Sequence, residues 1–158
     1  MHIKIMSGGQ TGVDRGALDA ALEAGVDAGG WCPEGRRAED GRIADRYPLR
    51  ELKGAGYRQR TLQNVRDSEG TVIVYSRYPT DGTELTLLFC IREKKPYLLL
   101  DATEMPVAKA AGRVVDFVSE NGIVRLNVAG PRESGMPGAR VYSHDVIQAF
   151  LESFSRNG

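Results

Sequence analysis

The chain has few of the residues that bind metals or form disulfides. Its 158 residues include two cysteines, Cys32 and Cys90, and two histidines, His2 and His144. Two cysteines cannot make the disulfide framework of a small secreted domain, and the histidines lie too far from them in sequence for a zinc motif. We therefore expect no metal bound by protein side chains. Cys90 lies in an apolar run, residues 87–91, and is expected in the core.

The chain also lacks net charge and long apolar runs. Lysine plus arginine and aspartate plus glutamate both number 21, so the formal net charge is zero. A chain with no net charge has no overall electrostatic attraction to nucleic acid or to an anionic membrane. No apolar run approaches the ~20 residues that span a bilayer, and we expect no signal peptide before the first strand. The expectation is a cytoplasmic protein that binds neither nucleic acid nor membrane.

The charges that are present are unevenly distributed. Residues 36–66 hold nine arginines and lysines against four acids. Such a basic segment suits an anionic small ligand, while a solvated surface or a subunit contact is the ordinary alternative. The sequence has no internal repeat and no low-complexity linker. We therefore expect one domain, residues 1–158, large enough to bury a core without help from disulfides or structural metals.

The most informative stretch is residues 7–16, SGGQTGVDRG. A short apolar run, 3–6, precedes it, and a helical pattern, 17–24, follows and ends at Gly25. In a strand–glycine turn–helix unit, free backbone N–H groups and the helix dipole point at the turn, and glycine lets an anion approach closely. This pattern predicts a phosphate-binding loop. The alternative is a tight turn that binds nothing.

The first loop departs from two familiar phosphate-binding patterns. The dinucleotide fingerprint G-x-G-x-x-G requires glycine where Ser7 stands, and the lysine of a P-loop is missing after the second glycine. The acidic residue that holds ribose hydroxyls at the end of the next strand is also missing near Trp31 and Cys32. An ordinary NAD site is therefore not predicted.

Strands alternate with helices along the rest of the chain. Further strands are predicted at 26–31, 71–75, 97–101 and 123–128, and helices at 58–67, 85–94, 104–120 and from a cap at Ser143 onward. The helix 85–94 is apolar nearly all round, which predicts that it is buried. Apolar strands alternating with helices predict a Rossmann-like, doubly wound α/β fold. Its mainly parallel sheet would have about five or more strands and helices on both faces.

The strand–glycine–helix arrangement occurs a second time. The strand 71–75 leads to Thr80 and Asp81, either of which can cap the next helix, and to Gly82. The strand 123–128 leads to a third polar loop, 129–135. Because ligands bind at the carboxyl ends of parallel strands, we expect these two loops and residues 7–16 to share one crevice.

These residues resemble a known family. The stretches GGQTGVDRGALDAA (8–21), GWCPEGRRAEDG (30–41) and NVAGPRES (127–134) are similar to motifs of the molybdenum-cofactor carrier proteins, as are 47–49, Thr61, Asn64 and 70–71. The match covers most of the chain, and its first two stretches are long enough to be specific. That family resembles a wider Rossmann-like superfamily of nucleotide-binding proteins. The superfamily includes the Lonely-guy phosphoribohydrolases, once called lysine decarboxylases.

The resemblance implies a doubly wound sheet, a homo-oligomer (a dimer or tetramer) and a bound nucleotide or phosphorylated molybdopterin cofactor. By position, phosphate and nearby polar groups would be held by Gly8, Gly9, Gln10, Thr11, Gly12, Gly82, Thr83, Glu84 and Gly130. Arg36, Arg37 and Arg132 would add charge-assisted bonds, although each has a surface salt bridge as its alternative.

The polar side chains of these loops complete the predicted site. Thr11, Thr83 and Ser134 would donate hydroxyl contacts, and Gln10 or Asn127 would read a ring edge. Asp14 is included, although a first-turn carboxylate favoured by the helix dipole is its alternative role. We therefore predict a binding or carrier protein without catalytic residues.

The alternative function is an enzyme that cleaves the glycosidic or phosphate bond of a nucleotide. Lonely-guy enzymes have the motif P-G-G-x-G-T-x-x-E, with an arginine and a glutamate acting in N-glycosidic cleavage. Here Gly82-Thr83 match, but Glu84 follows the threonine directly, two positions early. The candidate carboxylates are Asp14, Glu84 and Glu133, and the sequence identifies no partner for any of them.

Overall fold

The computed structural model describes residues 2–157. Its helices are α1 (Val13–Glu23), α2 (Tyr57–Asp67), α3 (Asp81–Arg92), α4 (Val107–Asn121) and α5 (Ala139–Asn157). Its strands are β1 (Lys4–Met6), β2 (Asp27–Gly29), β3 (Trp31–Pro33), β4 (Arg37–Ala38), β5 (Gly41–Arg42), β6 (Arg50–Leu52), β7 (Gly70–Tyr75), β8 (Tyr97–Asp101) and β9 (Arg125–Ala129). Helices follow β1, β7, β8 and β9, as the sequence predicts.

The central sheet has five parallel strands in the order β2-β1-β9-β7-β8. This confirms the predicted Rossmann-like α/β fold. The strand β9 lies between β1 and β7, so that Asn127 is paired with Met6 on one side and with Thr71 on the other. The loops that follow β1, β9 and β7 therefore lie side by side at the carboxyl edge of the sheet.

Helices cover both faces of this sheet. Successive side chains of a strand point to opposite faces. In β7, Val72 and Val74 belong to the large core formed with α1, α4 and α5. Ile73 belongs to a smaller core with α2 and α3, where Cys90 is fully buried as predicted. Burial on both faces explains why the strands are continuous apolar runs.

The predicted strand at 26–31 is wrong at its end. The strand β2 stops at Gly29, and Gly30 has a φ of +128°, a conformation that residues with a side chain rarely adopt. A Cβ on Gly30 would overlap the carbonyl oxygen of Ser7, so glycine lets the two segments pass closely. Beyond this point β3 leaves the central sheet and pairs in parallel with β6.

Two predictions about helices are also wrong. The helix α3 is not buried all round, because α2 and the sheet cover one side and leave Leu88 and Ile91 41% and 54% exposed. The last helix begins at Ala139, so Ser143 lies inside it and is not a cap. The hydroxyl of Ser143 instead donates to the carbonyl of Val13 at 2.7 Å, which joins α5 to α1.

The segment between β5 and β6 is held by one buried arginine. Arg36 is 7% exposed, and its guanidinium donates to the backbone carbonyls of Ile43, Ala44, Tyr47 and Leu49. The hydroxyl of Tyr47 donates to Oδ1 of Asp19 at 2.6 Å. Burial, reinforced by this hydrogen bond, raises the pKa of Tyr47 to about 12. The segment is therefore fixed against α1 by polar contacts.

Candidate functional site

A cleft opens at the carboxyl edge of the sheet. It has a volume of about 670 Å³ and is bounded by the loop before α1, the first turns of α2 and α3, and the loop after β9. Four arginines face it against two carboxylates: Arg58, Arg60, Arg77 and Arg132 against Asp14 and Asp81. We refer to it as the arginine cleft.

The arginine cleft brings together half of the residues predicted from the sequence. These are Gln10, Asp14, Gly82, Thr83, Gly130, Arg132 and Ser134. They come from the loops after β1, β7 and β9. Because β9 is the middle strand of the three, its loop forms the floor of the cleft. A Cβ on Gly130 would meet Val13 and the carbonyl of Val74, so glycine is needed there.

The glycines of the first loop contact protein atoms. A Cβ on Gly8 would overlap the guanidinium of Arg60, and a Cβ on Gly12 would overlap the backbone of Pro131. Gly9 and Gly12 have φ values of +74° and +79°, in the region that favours glycine. All three glycines are buried. The faces predicted to receive a phosphate are therefore occupied by the protein itself.

Asp14 and Arg60 form a buried pair at the α1 end of the cleft. The Nη1 atom of Arg60 lies 3.6 Å from Oδ2 of Asp14, and their side chains are 15% and 5% exposed. The backbone N–H of Gln10 donates to the same carboxylate oxygen at 3.3 Å. Burial raises the pKa of Asp14 to about 6, although the charge of Arg60 opposes the rise. A carboxyl group that titrates near neutral pH inside a cleft is typical of functional sites.

Gln10 is fixed beside this pair. Its Nε2 donates to the carbonyl of Arg37 at 2.9 Å, and the residue is 3% exposed. Within residues 2–157, its Oε1 has no hydrogen-bond partner. Folded proteins leave few buried polar atoms unpaired, and those that remain call for an explanation. Gln10 also lines the arginine cleft, so a bound molecule can supply the missing donor.

Glu39 ties one wall of the cleft to the first loop. Its carboxylate accepts hydrogen bonds from the hydroxyls of Thr11 and Ser134, the second at 2.5 Å. These bonds, that from Ser134 first, lower the pKa of Glu39. The hydroxyl of Thr11 in turn accepts the amide of Glu133 at 3.2 Å. The hydroxyls of Thr11 and Ser134, predicted as ligand donors, therefore donate to Glu39 and join the first loop to the loop after β9.

The opposite end of the cleft is the start of α3. The amides of Thr83 and Glu84 both donate to the carbonyl of Thr80, at 3.0 and 3.3 Å. In the described part of the chain, the amides of Asp81 and Gly82 have no acceptor. Apart from its chain neighbours and the backbone of α3 itself, no described atom lies within 4 Å of the Cβ position of Gly82. The open helix start therefore offers N–H groups and a positive dipole end to an anion.

The loop that leads into α3 is strained. Arg77 and Asp81 have φ values of 69° and 48°, in the left-handed region. Each such non-glycine residue costs about 1–3 kcal/mol and persists only when its surroundings hold it. The amide of Arg77 donates to Oδ1 of Asp101 at 3.0 Å, which supplies part of that support. Strain of this kind is concentrated at functional sites, and here it shapes the loop that carries Arg77 to the cleft.

Two aromatic rings add flat apolar surface to the cleft. Tyr57 begins α2, and its ring lies under the guanidinium of Arg132 at 5.0 Å and near that of Arg60 at 5.8 Å. Tyr78 is 67% exposed, although it is large and partly apolar. Both residues line the cleft. A planar ring of a ligand can stack on such surfaces.

Seven predicted residues do not line the cleft: Gly8, Gly9, Thr11 and Gly12 of the first loop, and Arg36, Arg37 and Glu84. The donors of Arg36 are used by backbone carbonyls of its own loop. Arg37 is exposed, and its Nε donates to the carbonyl of Glu34 at 3.0 Å. Glu84 is exposed on α3 and does not line the cleft.

The sequence prediction omits the first turn of α2. The basic segment 36–66 includes Arg58 and Arg60, but only Arg36 and Arg37 of this segment were predicted as site residues. A usable signal was the spacing of Tyr57 and Arg60 at the start of a helix, since residues three apart share a face. That spacing places both side chains on one side of α2.

Within residues 2–157, no group of three or more histidine, cysteine, aspartate or glutamate side chains is placed to hold a metal ion. No helix in the same range is both long and apolar enough to cross a bilayer.

Comparison with known proteins gives one family and one close structure. The profile of the circularly permutated YpsA SLOG family matches residues 5–151. A crystal structure described as "Putative molybdenum carrier protein", from Syntrophus aciditrophicus SB, is 39% identical in sequence. The match covers 95% of both chains with a TM-score of 0.92. No curated protein matches the chain. The resemblance inferred from the sequence motifs is confirmed.

Proposed function

We propose that this chain, which belongs to the circularly permutated YpsA SLOG family, binds a phosphorylated small molecule in the arginine cleft. The ligand would be a nucleotide or the molybdenum cofactor, held and carried without being converted. The observation that carries the proposal is the excess of arginines over carboxylates around one cleft, four against two. The name given to the similar structure, a molybdenum carrier protein, supports the same class of role.

The size and chemistry of the cleft suit such a ligand. Its volume of about 670 Å³ lies within the range of about 300–1,000 Å³ typical of small-molecule sites. A phosphate at the start of α3 would meet the amide of Gly82, the hydroxyl of Thr83 and the charge of Arg77. Charge-assisted hydrogen bonds of this type are about twice as strong as neutral ones. The anion would also offset the mutual repulsion of the arginines.

A molybdenum cofactor would be cargo rather than a resident cofactor. The described residues offer no cluster of metal ligands. The metal would therefore travel on the sulfur atoms of the cofactor itself, while the protein would hold the phosphate and the ring. The unpartnered Oε1 of Gln10 and the open face of Gly82 fit these two parts of the molecule.

Removing two cleft arginines tests the proposal. We expect the double replacement of Arg58 and Arg132 by methionine to weaken binding of inorganic pyrophosphate and of nucleoside monophosphates by about 10- to 100-fold. This is the effect of losing one or two hydrogen bonds to charged groups. Isothermal titration calorimetry at low salt measures the change, and native mass spectrometry of freshly purified protein would report any ligand that it retains.

The matched control is a double replacement of Arg92 and Arg113 by methionine. Both are exposed on α3 and α4 and lie outside the cleft. This variant changes the net charge by the same amount, so it should keep the wild-type affinity. Equal losses in the two variants would mean that only overall charge matters. No binding of any phosphorylated compound to the wild-type chain would contradict the proposal.

One observation favours a second candidate function, hydrolysis of a nucleotide. Of the three candidate carboxylates, only Asp14 lines the cleft. The carboxylate of Glu133 instead accepts the amides of Gly138 and Arg140, at 2.6 and 2.9 Å. With its pKa raised to about 6 by burial, Asp14 can accept a proton from water near neutral pH. The oxygen of that water would bond to the anomeric carbon as the glycosidic C–N bond breaks, and the proton taken by Asp14 would pass to the departing base.

Chromatography of nucleoside monophosphates after incubation with the protein separates the two functions. If the chain is a hydrolase, free base appears, and Asp14→Asn abolishes its release while the nucleotide still binds. If it is a carrier, the nucleotide binds and is recovered intact, which is the outcome we expect.

A further inference from the structure

The α1 end of the arginine cleft presents a hydrogen-bond acceptor that nothing in the described chain satisfies. The carbonyl of Arg37 can only accept, so its contact with Gln10 fixes Nε2 on that side and Oε1 on the other. The side chain of Gln10 is therefore held in one orientation. Its unpartnered Oε1 is buried, and a buried acceptor without a donor costs stability.

A second acceptor lines the same cleft. The backbone N–H of Gln10 donates to Oδ2 of Asp14, the carboxylate oxygen that also faces Arg60, at the start of α1. Near neutral pH the carboxylate is mostly ionised, since its pKa is about 6 after burial raises it. An ionised carboxylate accepts hydrogen bonds and donates none. This end of the cleft therefore offers acceptors from two residues, Gln10 and Asp14, beside the charge of Arg60.

The other end of the cleft offers hydrogen-bond donors and lacks these two acceptors. Gly82 and Thr83, at the start of α3, offer donors and face the same cleft as Gln10 and Asp14. The helices α1 and α3 follow β1 and β7, which are separated by β9 alone. Two strand spacings are about 10 Å, the distance from a phosphate to the far side of a nucleoside or pterin. One molecule can therefore reach both ends.

We propose that Gln10 and Asp14 select a ring edge that carries two adjacent N–H donors. The 2-amino-4-oxopyrimidine ring shared by guanine and the pterins has this edge, in its ring N–H and exocyclic amino group. Hypoxanthine lacks the amino group, and adenine has an acceptor where guanine has the ring N–H. This inference rests on the proposed binding function and narrows the ligand to the guanine and pterin class.

Calorimetry with GMP, IMP and AMP on the full chain tests the selection. All three carry the same sugar phosphate, so differences in their affinities report how the protein contacts the edge of the base. We expect GMP to bind at least about tenfold more tightly than IMP or AMP, the effect of one hydrogen bond to a charged or buried acceptor. A phosphorylated pterin in a fourth titration distinguishes the two sources of the same edge. Tighter binding of the pterin than of GMP would assign the site to pterins.

The variant Gln10→Met removes the acceptor and keeps the length of the side chain. It should bring the affinity for GMP down to within a few-fold of that for AMP. The control is Gln148→Met, at an exposed glutamine of α5 outside the cleft. This variant should keep the wild-type order of affinities for GMP, IMP and AMP. Circular dichroism and melting temperature establish that both variants are folded. If Gln10→Met does not fold, the comparison of GMP, IMP and AMP on the wild-type chain decides alone.

The outcomes separate this inference from the function on which it rests. Equal binding of GMP, IMP and AMP would overturn the selection of a ring edge and leave phosphate binding intact. Binding of GMP that is as tight in Gln10→Met as in the wild-type chain would also overturn it. Failure of all nucleotides and of inorganic pyrophosphate to bind would overturn the proposed function as well.

Discussion

Gly12→Ala should destabilise the protein by about 3 kcal/mol or more. Gly12 stands at the start of α1 with φ +79° and ψ −128°, a region that is almost closed to other residues. A Cβ there would also lie 2.7 Å from backbone atoms of Arg132 and Glu133. Backbone strain and overlap with a fixed loop therefore act together. The free energy of unfolding measured in urea gives the change.

Gly112→Ala is the matched control for this substitution. Gly112 lies in the interior of α4, and apart from its chain neighbours and the backbone of that helix no described atom is within 4 Å of its Cβ position. Alanine there should raise stability by up to about 1 kcal/mol, because it reduces the entropy of the unfolded chain. A Gly12→Ala protein as stable as the wild type would show that the 131–133 loop yields easily, contrary to our expectation.

Arg60→Met should destabilise the protein, and more so at high pH. Burial has already raised the pKa of Asp14 from 3.8 to about 6, against the charge of Arg60. The folded state therefore holds the proton of Asp14 more tightly than the unfolded state, so this group's stabilising contribution falls as pH rises between these two values. Without Arg60 the pKa rises further, and the ionised carboxylate is left unpaired. We expect a loss of about 3–5 kcal/mol near pH 8 and a smaller loss near pH 5.

Denaturant unfolding at the two pH values measures this difference. Arg58→Met serves as the control, because Arg58 is an exposed neighbour on α2 whose guanidinium lies 5.3 Å from the ring of Phe89. Its effect should stay below about 1 kcal/mol and should not change with pH. An equal loss for Arg60→Met at both pH values would mean that packing on Gly8, rather than the charge of Asp14, dominates.

The fold class was predictable because its signals are local. The strands β7 and β8 are short apolar runs, and each is followed by turn residues and a helical pattern. The position of β9 between β1 and β7 was not predictable in the same way, since it depends on pairing between residues more than fifty positions apart. The end of β2 was missed because the chain turns at Gly30 through a close approach to Ser7, a contact that the local sequence does not reveal.

The site was predictable in part for the same reason. The segments around Asp14, Gly82 and Gly130 contain glycines that mark them in the sequence. Arginines carry no comparable mark. Arg36 and Arg60 are the same residue type in one basic segment, and only tertiary contacts direct the first to backbone carbonyls and the second to Asp14.

The central position of β9 also has a consequence for how the protein folds. The floor of the cleft comes from residues 129–136, while its two ends belong to α1 and α3, which begin about 120 and 50 residues earlier in the chain. Closing such long loops is entropically costly, and folds dominated by distant contacts fold slowly. On the ribosome, β1 and β7 emerge well before the strand that joins them. We therefore expect the arginine cleft to be among the last parts of the molecule to acquire its native structure, and to be absent from nascent chains that lack β9.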